Sequence, residues 1–259
     1  MKIPASVFIL TFNSAMTLRR ALESVKDFDD ILIVDGGSTD ATLDIARAFG
    51  ARIVPQDSHC LTEGRLTDFA CARNGALRHT KYPWGLFIDS DETASEALVR
   101  EISDVVRENP RAGAFRIKAG IVLDGAHILR SSNYPGYQLR FFHKEAGQFV
   151  KPIHERFRVK EEYPIRTLKN PWHYYVTRGD VYKDFDRDLV RDMPLYGERY
   201  RGASLGKRMR GVLLALRSSA GIALRGLLNA IFYGGPSTYP FRLEWLRIRY
   251  QWAIIRTLL

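Results

Sequence analysis

Cysteine occurs only twice in 259 residues, at Cys60 and Cys71. Usage this sparse excludes a disulfide-built scaffold and is expected of a chain kept in a reducing compartment. The amino end, Met1-Lys2-Ile3-Pro4, has no basic region followed by an apolar signal core and a small-residue cleavage site. A cytoplasmic protein is therefore expected. There is no internal repeat and no low-complexity linker, so no cut is placed before about residue 200. Zinc-finger spacing and recognisable RNA-binding motifs are also missing, which argues against a nucleic-acid-binding module despite the net charge of +10. Acids are scarce in one place. From Lys207 to Leu259 nine Lys or Arg stand against a single acid, Glu244, whereas the first 206 residues hold 30 basic and 28 acidic residues. The positive charge belongs to the tail.

At 46% hydrophobic the chain has enough apolar residues for a full core. Ala5 to Leu10 and Ile31 to Val34 are short apolar runs of strand type, and Ala15 to Val25 between them has helical spacing at Leu18, Ala21, Leu22 and Val25. That is a β-α-β unit, which implies a parallel sheet. A second helix follows from the caps Ser38-Thr39-Asp40 to the stop at Gly50. Arg52 to Val54 and Gly85 to Ile88 are further strands, Thr67 to Leu77 is a helix, and Ser95 caps another that ends near Arg107. Beyond Pro110 the pattern becomes β-rich, with strands at 114–117, 121–123, 127–129, 137–142 and 157–159 and a hairpin turn at Asp124-Gly125.

In an open parallel sheet, ligands bind beyond the carboxyl ends of the strands. Three such ends carry polar residues: Thr11-Phe12-Asn13, Asp35-Gly36-Gly37-Ser38 and Asp89-Ser90-Asp91. Thr11 and Asn13 suit a base or ribose, and Asp35 can accept from a base N–H. Two carboxylates one residue apart, Asp89 and Asp91, can address a ribose and a hard divalent cation, Mg²⁺ or Mn²⁺. Taken singly, each reads as readily as a turn with a helix cap or a solvated loop.

Together and in order, Ser6-Val7-Phe8-Ile9-Leu10-Thr11-Phe12-Asn13, Ile31-Leu32-Ile33-Val34-Asp35-Gly36-Gly37-Ser38-Thr39-Asp40, Ala72-Arg73-Asn74 and Phe87-Ile88-Asp89-Ser90-Asp91-Glu92 resemble the motifs of family 2 glycosyltransferases. A softer resemblance, through Asp91-Glu92, Val150-Lys151-Pro152-Ile153-His154-Glu155 and Trp172-His173-Tyr174, is to the lipopolysaccharide core glucosyltransferase branch. The resemblance implies an α/β GT-A-type mixed sheet flanked by helices. It places Thr11, Asn13 and Asp35 at the nucleoside, Arg73 near the base or diphosphate, Asp89 at the ribose and Asp91 on the metal. Many relatives carry two consecutive acids where this chain has Asp35-Gly36, which loosens the choice of nucleotide: uridine is the family's usual base, and guanosine stays open.

An inverting transfer needs a base for the acceptor hydroxyl. Glu155 is the candidate, with His154 touching the diphosphate or orienting Glu155; the alternative is a surface dipeptide. His173 is a metal or phosphate contact, or a structural histidine beside Trp172. Asp184, Asp186 and Asp188 are second-choice bases whose helical spacing among Lys183, Arg187 and Arg191 favours a salt-bridged exposed helix.

Val212 to Tyr233 is mostly apolar but contains Arg217, Arg225 and Asn229. Two central arginines cost roughly 2.5 to 3.5 kcal/mol each in a spanning helix. Lys207, Arg210, Arg217 and Arg225 instead form a basic stripe on an amphipathic helix suited to an anionic membrane surface, away from Leu213, Leu216, Ala220, Leu224 and Leu227. The alternative is a helix packed on the domain with its arginines in solvent.

The expected organisation is a catalytic domain over 1–203, with a nucleotide-sugar half at 1–110 and an acceptor-side half at 111–203, and a basic amphipathic helical tail at 204–259. The expected activity is hexose transfer from a nucleoside diphosphate sugar to a lipid-linked or lipopolysaccharide-type acceptor at the cytoplasmic face of a membrane. Transfer to a polyprenyl phosphate, a nucleic-acid-binding module and a catalytically dead scaffold are the competing readings.

Overall fold

The computed structural model describes residues 2–62, 64–108, 113–152 and 155–259. Two compact units emerge from the packing, one of residues 1–119 and 137–174, the other of residues 120–136 and 175–259.

The first unit is built on a mixed sheet. Its parallel part comprises β1 (Ile3–Thr11), β2 (Phe28–Asp35), β3 (Arg52–Pro55) and β6 (Trp84–Phe87), interleaved with α1 (Ala15–Ser24), α2 (Thr42–Ala48) and α3 (Phe69–His79). The small β4 (Leu61–Thr62) and β5 (Arg65–Leu66) form a separate pair before α3. After β6 come β7 (Glu92–Ala94), α4 (Glu96–Glu108), β8 (Ala114–Leu123), β9 (Ala126–Ile128), β10 (Tyr137–His143), β11 (Gly147–Val150), β12 (Arg156–Val159) and β13 (Ile165–Val176). Among the described residues the main sheet runs β3-β2-β1-β6-β10-β8-β13-β7, with β9 paired to β8. β10 turns antiparallel against β6, and this is where the parallel half meets the mixed half.

Both faces of the sheet are covered, which is why its central strands are continuous apolar runs. Side chains alternate across a strand. Val7, Ile9, Ile31 and Ile33 therefore join one core with Leu18, Leu22, Leu98 and Ile102 from α1 and α4, while Phe8, Leu32 and Val34 join the other with Ala76 and Leu77 of α3. The second core is rich in rings, and Phe142 stacks on Phe157 with centroids 3.8 Å apart. The expected β-α-β opening and the mixed α/β class are thus observed. The stretches expected as separate strands at 114–117 and 121–123 are one strand, because Lys118 stays in register opposite Tyr137. β13 was not expected from the sequence.

The second unit holds the end of β8 and β9, which lie in residues 120–136, together with α5 (Arg178–Tyr200), α6 (Leu205–Phe232) and α7 (Phe241–Leu258). The packing boundary therefore falls before α5, whereas the tail boundary expected from the sequence is at 203/204. Val212 and Ala215 of α6 pack on Ile254, Ile255 and Leu258 of α7. Glu244 is buried in this unit, where its oxygens accept from the Ser132 amide and hydroxyl and from Arg247. Leu213 and Leu224 on α6 are 61% and 60% exposed. The four residues of the basic stripe, Lys207, Arg210, Arg217 and Arg225, are exposed, and Arg225 also donates to the Ser132 carbonyl at 2.9 Å.

One buried network ties the amino ends of the strands. Asp30 accepts from Ser6 Oγ, Arg52 Nε and the Lys81 amide at 2.6 to 2.8 Å. Burial pushes its pKa up, but Arg52, Ser6 and the Lys81 amide outweigh burial and hold it below the ordinary 3.8. Its stabilising contribution is therefore full above that value and is lost as pH falls through the folded pKa. Asp30→Ala should cost about 3 kcal/mol in urea unfolding at neutral pH, by stranding buried donors. The gap to the wild type should narrow as pH drops from about 5 toward about 2. A pH-independent gap would show that the Asp30 charge is not its source.

Candidate functional site

The carboxyl ends of β1 and β2 are joined by their own hydrogen bonds. Asp35 Oδ1 accepts from Thr11 Oγ1 at 2.8 Å and Ser38 Oγ at 2.6 Å, and Oδ2 accepts from the amides of Gly37 at 2.9 Å and Ser38 at 2.7 Å. Gly37 sits at φ 90°, a backbone region open to glycine, and so presents its amide to the carboxylate. Burial pushes the Asp35 pKa up, yet these donors, Ser38 first, bring it below the usual carboxylate range. A carboxylate has about four lone-pair sites, and the protein fills all four. Asp35 thus shapes the loop, and a base N–H reaching it would take the place of a hydroxyl. Asn13, at φ 48°, does similar work: its amide donates to Ser38 Oγ at 2.9 Å and its Oδ1 accepts from the Thr39 amide at 2.8 Å.

Arg73 forms the centre of the second half of the site. It lies on α3, whose first turn is capped by Asp68 accepting from the Cys71 amide at 2.8 Å. Its side chain is 5% exposed, with Nε donating to Glu155 Oε1 at 2.7 Å and Nη2 to Asp89 Oδ1 at 2.9 Å. The guanidinium lies 4.3 Å from the Phe87 ring centroid, and buried Nη1 has no hydrogen-bond partner among the described residues. Asp89 keeps 41% of its side chain accessible. Crowding by protein pushes its pKa up, but Arg73 and then Arg140 more than offset this and hold it low.

Three residues on, buried Glu92 receives Arg140 through both oxygens at 2.5 and 3.0 Å and the Asp89 amide at 2.8 Å. Burial drives the Glu92 pKa up against the pull of Arg140, the Asp89 charge adds to the rise, and the result is about 7. Asp91 is exposed by area, yet its carboxyl is hemmed in by protein. That desolvation and the Asp89 charge push its pKa up. Two crowded carboxylates of like charge, offering hard oxygens, fit a divalent cation. Beside them opens a cavity of about 700 Å³ walled by Arg73, Asp89 and Glu155 together with Arg116, Arg140 and Arg156.

The structure thus brings Thr11, Asn13 and Asp35 together at one loop cluster, and Arg73, Asp89 and Glu155 together at one wall. His154 lies outside the described residues. His173 is on β13 opposite Thr93, two residues beyond Asp91. Asp184 and Asp188 pair with Arg187 and Arg191 on α5 at 2.9 and 3.0 Å, as a salt-bridged helix would. Cys60 and Cys71, whose scarcity speaks against a disulfide-built scaffold, are nonetheless joined in a disulfide, with Cα atoms 5.6 Å apart. The short turn Ser58–Cys60 and the first turn of α3 bring them within bridging distance, which a spacing of eleven residues does not reveal. Among the described residues these two sulfurs and His59 form a group of three metal-ligand atoms within 4.8 Å, but the disulfide leaves no thiolate to ligate.

Residues 6–168 match the family model described as glycosyl transferase family 2. The chain belongs to that family. Similar sequences include an uncharacterized glycosyltransferase of Rickettsia bellii, 34% identical over 153 residues that make up 57% of this chain and 49% of that protein. A PGL/p-HBAD biosynthesis glycosyltransferase of Mycobacterium bovis is 30% identical over 187 residues, 64% of this chain and 70% of the relative. Among solved structures, S. aureus TarS 1-349 in complex with UDP-GlcNAc superposes with a TM-score of 0.48 at 16% identity, covering 98% of this chain and 90% of that one. The chain spans about half the length of the Rickettsia relative.

The part of this candidate site that sequence reasoning missed is Arg140, with its partner Glu92. The signal was present: an arginine inside the apolar strand Leu139-Arg140-Phe141-Phe142 is rarely buried unless paired. Gln56 was missed too, and its amide reaches the Thr11 and Val34 carbonyls at 3.5 and 3.4 Å.

Arg73 holds two carboxylates, so its removal should be felt through both. Arg73→Met should lower stability by about 3 kcal/mol in urea unfolding, because Asp89 and Glu155 lose their counter-charge. Adding Glu155→Gln should recover about 1 kcal/mol of that loss. Strictly additive losses in this double-mutant cycle would show that the ion pair is not coupled.

Proposed function

We propose that this protein transfers a hexose, with inversion, from a nucleoside diphosphate sugar to a hydroxyl of a lipid-linked or lipopolysaccharide-core saccharide. The observation that carries the reading is the Arg73 fork, which holds strand-end Asp89 and the later Glu155 on one cavity wall. The Thr11, Asn13 and Asp35 cluster receives the nucleoside, with uridine as the base, and Asp89 the ribose. Asp91, with His173 from the neighbouring strand, would hold Mg²⁺ or Mn²⁺, which supplies charge neutralisation at the departing diphosphate. His154 serves the diphosphate on the strength of the sequence resemblance.

Glu155 takes the proton of the acceptor hydroxyl as its oxygen attacks the anomeric carbon and the bond to the diphosphate breaks. Arg73 fixes one Glu155 oxygen, and Oε2 makes no hydrogen bond among the described residues. In this reading residues 1–110 serve the donor, 111–203 the acceptor and 204–259 the membrane.

A screen of nucleotide sugars with Mn²⁺ or Mg²⁺, scored by release of nucleoside diphosphate, tests the donor reading. Asp91→Ala should abolish divalent-dependent release, and full activity in chelator would remove the metal. With an acceptor, Glu155→Gln should lower turnover by about 10² to 10⁴ with donor affinity little changed. A loss below about tenfold would dismiss Glu155 as the base.

The tail reading is peripheral binding at the cytoplasmic face of the membrane. By length and composition α6 is apolar enough to cross a bilayer. Arg217 and Arg225 near its middle make an in-plane position cheaper, with the exposed leucines inserted and the basic groups at anionic headgroups. Binding to phosphatidylglycerol vesicles should weaken in high salt without vanishing, since apolar insertion is not screened. Replacing Lys207, Arg210 and Arg217 with Glu should reduce co-sedimentation at low salt. Equal sedimentation of variant and wild type, or none by the wild type, would end this assignment.

A further inference from the structure

Two charged groups of the cavity are given no role by the donor reading above. Arg116 lies on β8 opposite Leu139, and Arg156 opens β12 opposite Val150. Both line the cavity, both are exposed, and among the described residues neither side chain makes an ion pair or hydrogen bond. The other two arginines of the wall are already committed, Arg73 to Asp89 and Glu155 and Arg140 to Glu92. Arg116 and Arg156 both come from strands beyond residue 110, and the Thr11 and Asp35 loops are not among the walls of this cavity. Glu155, the base for the acceptor hydroxyl on the reading above, lines the same cavity as this unpaired charge.

Two unpaired guanidinium forks present a donor pattern that matches the oxygens of an anionic group and that a neutral sugar does not answer. A phosphoryl group carries about −1.5 to −2 charge at neutral pH, enough for both, whereas one carboxylate leaves a fork unmatched. Tyr137, half exposed on the same wall beside Gln138, offers an aromatic face for the apolar side of a pyranose, and the Gln138 amide suits its hydroxyls. We infer that the acceptor is a phosphorylated saccharide, its phosphoryl group held by Arg116 and Arg156 so that a sugar hydroxyl lies at Glu155. The inference rests on the transferase reading above and adds the chemical class of the acceptor.

The test fills the donor side first. Protein saturated with UDP and Mg²⁺ is titrated calorimetrically with glucose 6-phosphate, glucose 1-phosphate and glucose. At least one sugar phosphate should bind saturably and glucose should not. The Arg116→Gln/Arg156→Gln variant should lose at least tenfold in sugar-phosphate affinity, while its UDP affinity stays within about twofold, which also reports an intact fold. Failure of both sugar phosphates to bind, equal binding of glucose, or wild-type affinity in the variant would overturn the inference. Failure of UDP to bind the wild type is a separate result that counts against the donor reading.

Discussion

A buried guanidinium has to be neutralised, and the site is organised by how this chain meets that requirement. Arg73 sits on α3 inside a ring-lined core, where an unpaired cation would cost several kcal/mol. Its two carboxylates lie 16 and 82 residues further along the sequence. One closes the nucleotide-type first half and the other belongs to the β-rich second half, so satisfying Arg73 requires both halves to be folded together. The neighbouring Asn74 reinforces this by pairing its side-chain amide with the Phe149 backbone, donating and accepting at 2.9 Å. One helix face thus fixes where β11 lies and where the chain beyond it presents Glu155.

The same requirement spreads into an alternating array. Arg73 meets Asp89, Arg140 meets Glu92, and both guanidiniums lie 4.3 Å from the centroid of Phe87. Such an array contributes little to stability, because desolvating each charge offsets most of the attraction. What it supplies is preorganisation. On the proposed donor reading, charges already fixed by packing need not reorient when a diphosphate and a cation arrive, and this is the main way a protein site stabilises developing charge. Asp91 is the outlying member: its carboxyl is disfavoured as an anion by burial and by Asp89, and that disfavour is relieved by a positive ion placed at its oxygens.

The fold was legible where periodicity was strong. Val7, Phe8 and Ile9 alternate between two covered faces, and Leu18, Ala21 and Leu22 mark one face of α1, so strand and helix periods separated cleanly. It was not legible where tertiary pairing overrides local pattern. β13 contains Asn170 and Pro171, which read as a break, and Lys118 to Gly120 interrupt the apolar run of β8 without interrupting the strand. At the site, residue types and their order along the chain could be read, but partners could not. No local signal says that the donor to Glu155 is Arg73, that Asp35 already has four donors, or that Cys60 and Cys71 meet. Each of these facts depends on where separate segments close in space.

The tail shows the same limit in electrostatics. Counting charges from Lys207 to Leu259 treats every basic group as available to a partner, but the folded chain sorts them. Arg225 is bonded to the Ser132 carbonyl, Arg247 to Glu244 and Arg208 to the Leu258 and Leu259 carbonyls. These groups hold unit 2 together. The leucines at 213, 216, 224 and 227 are meanwhile exposed, since α6 buries the opposite stripe of Val212, Ala215, Ser219, Ile222 and Gly226. An exposed leucine row gains about 25 cal/mol per Å² on leaving water, whereas each headgroup contact contributes about 1 kcal/mol near the surface and less in salt. With part of the basic stripe committed internally, the proposal of a membrane partner rests less on the charge of the tail than on its uncovered apolar face.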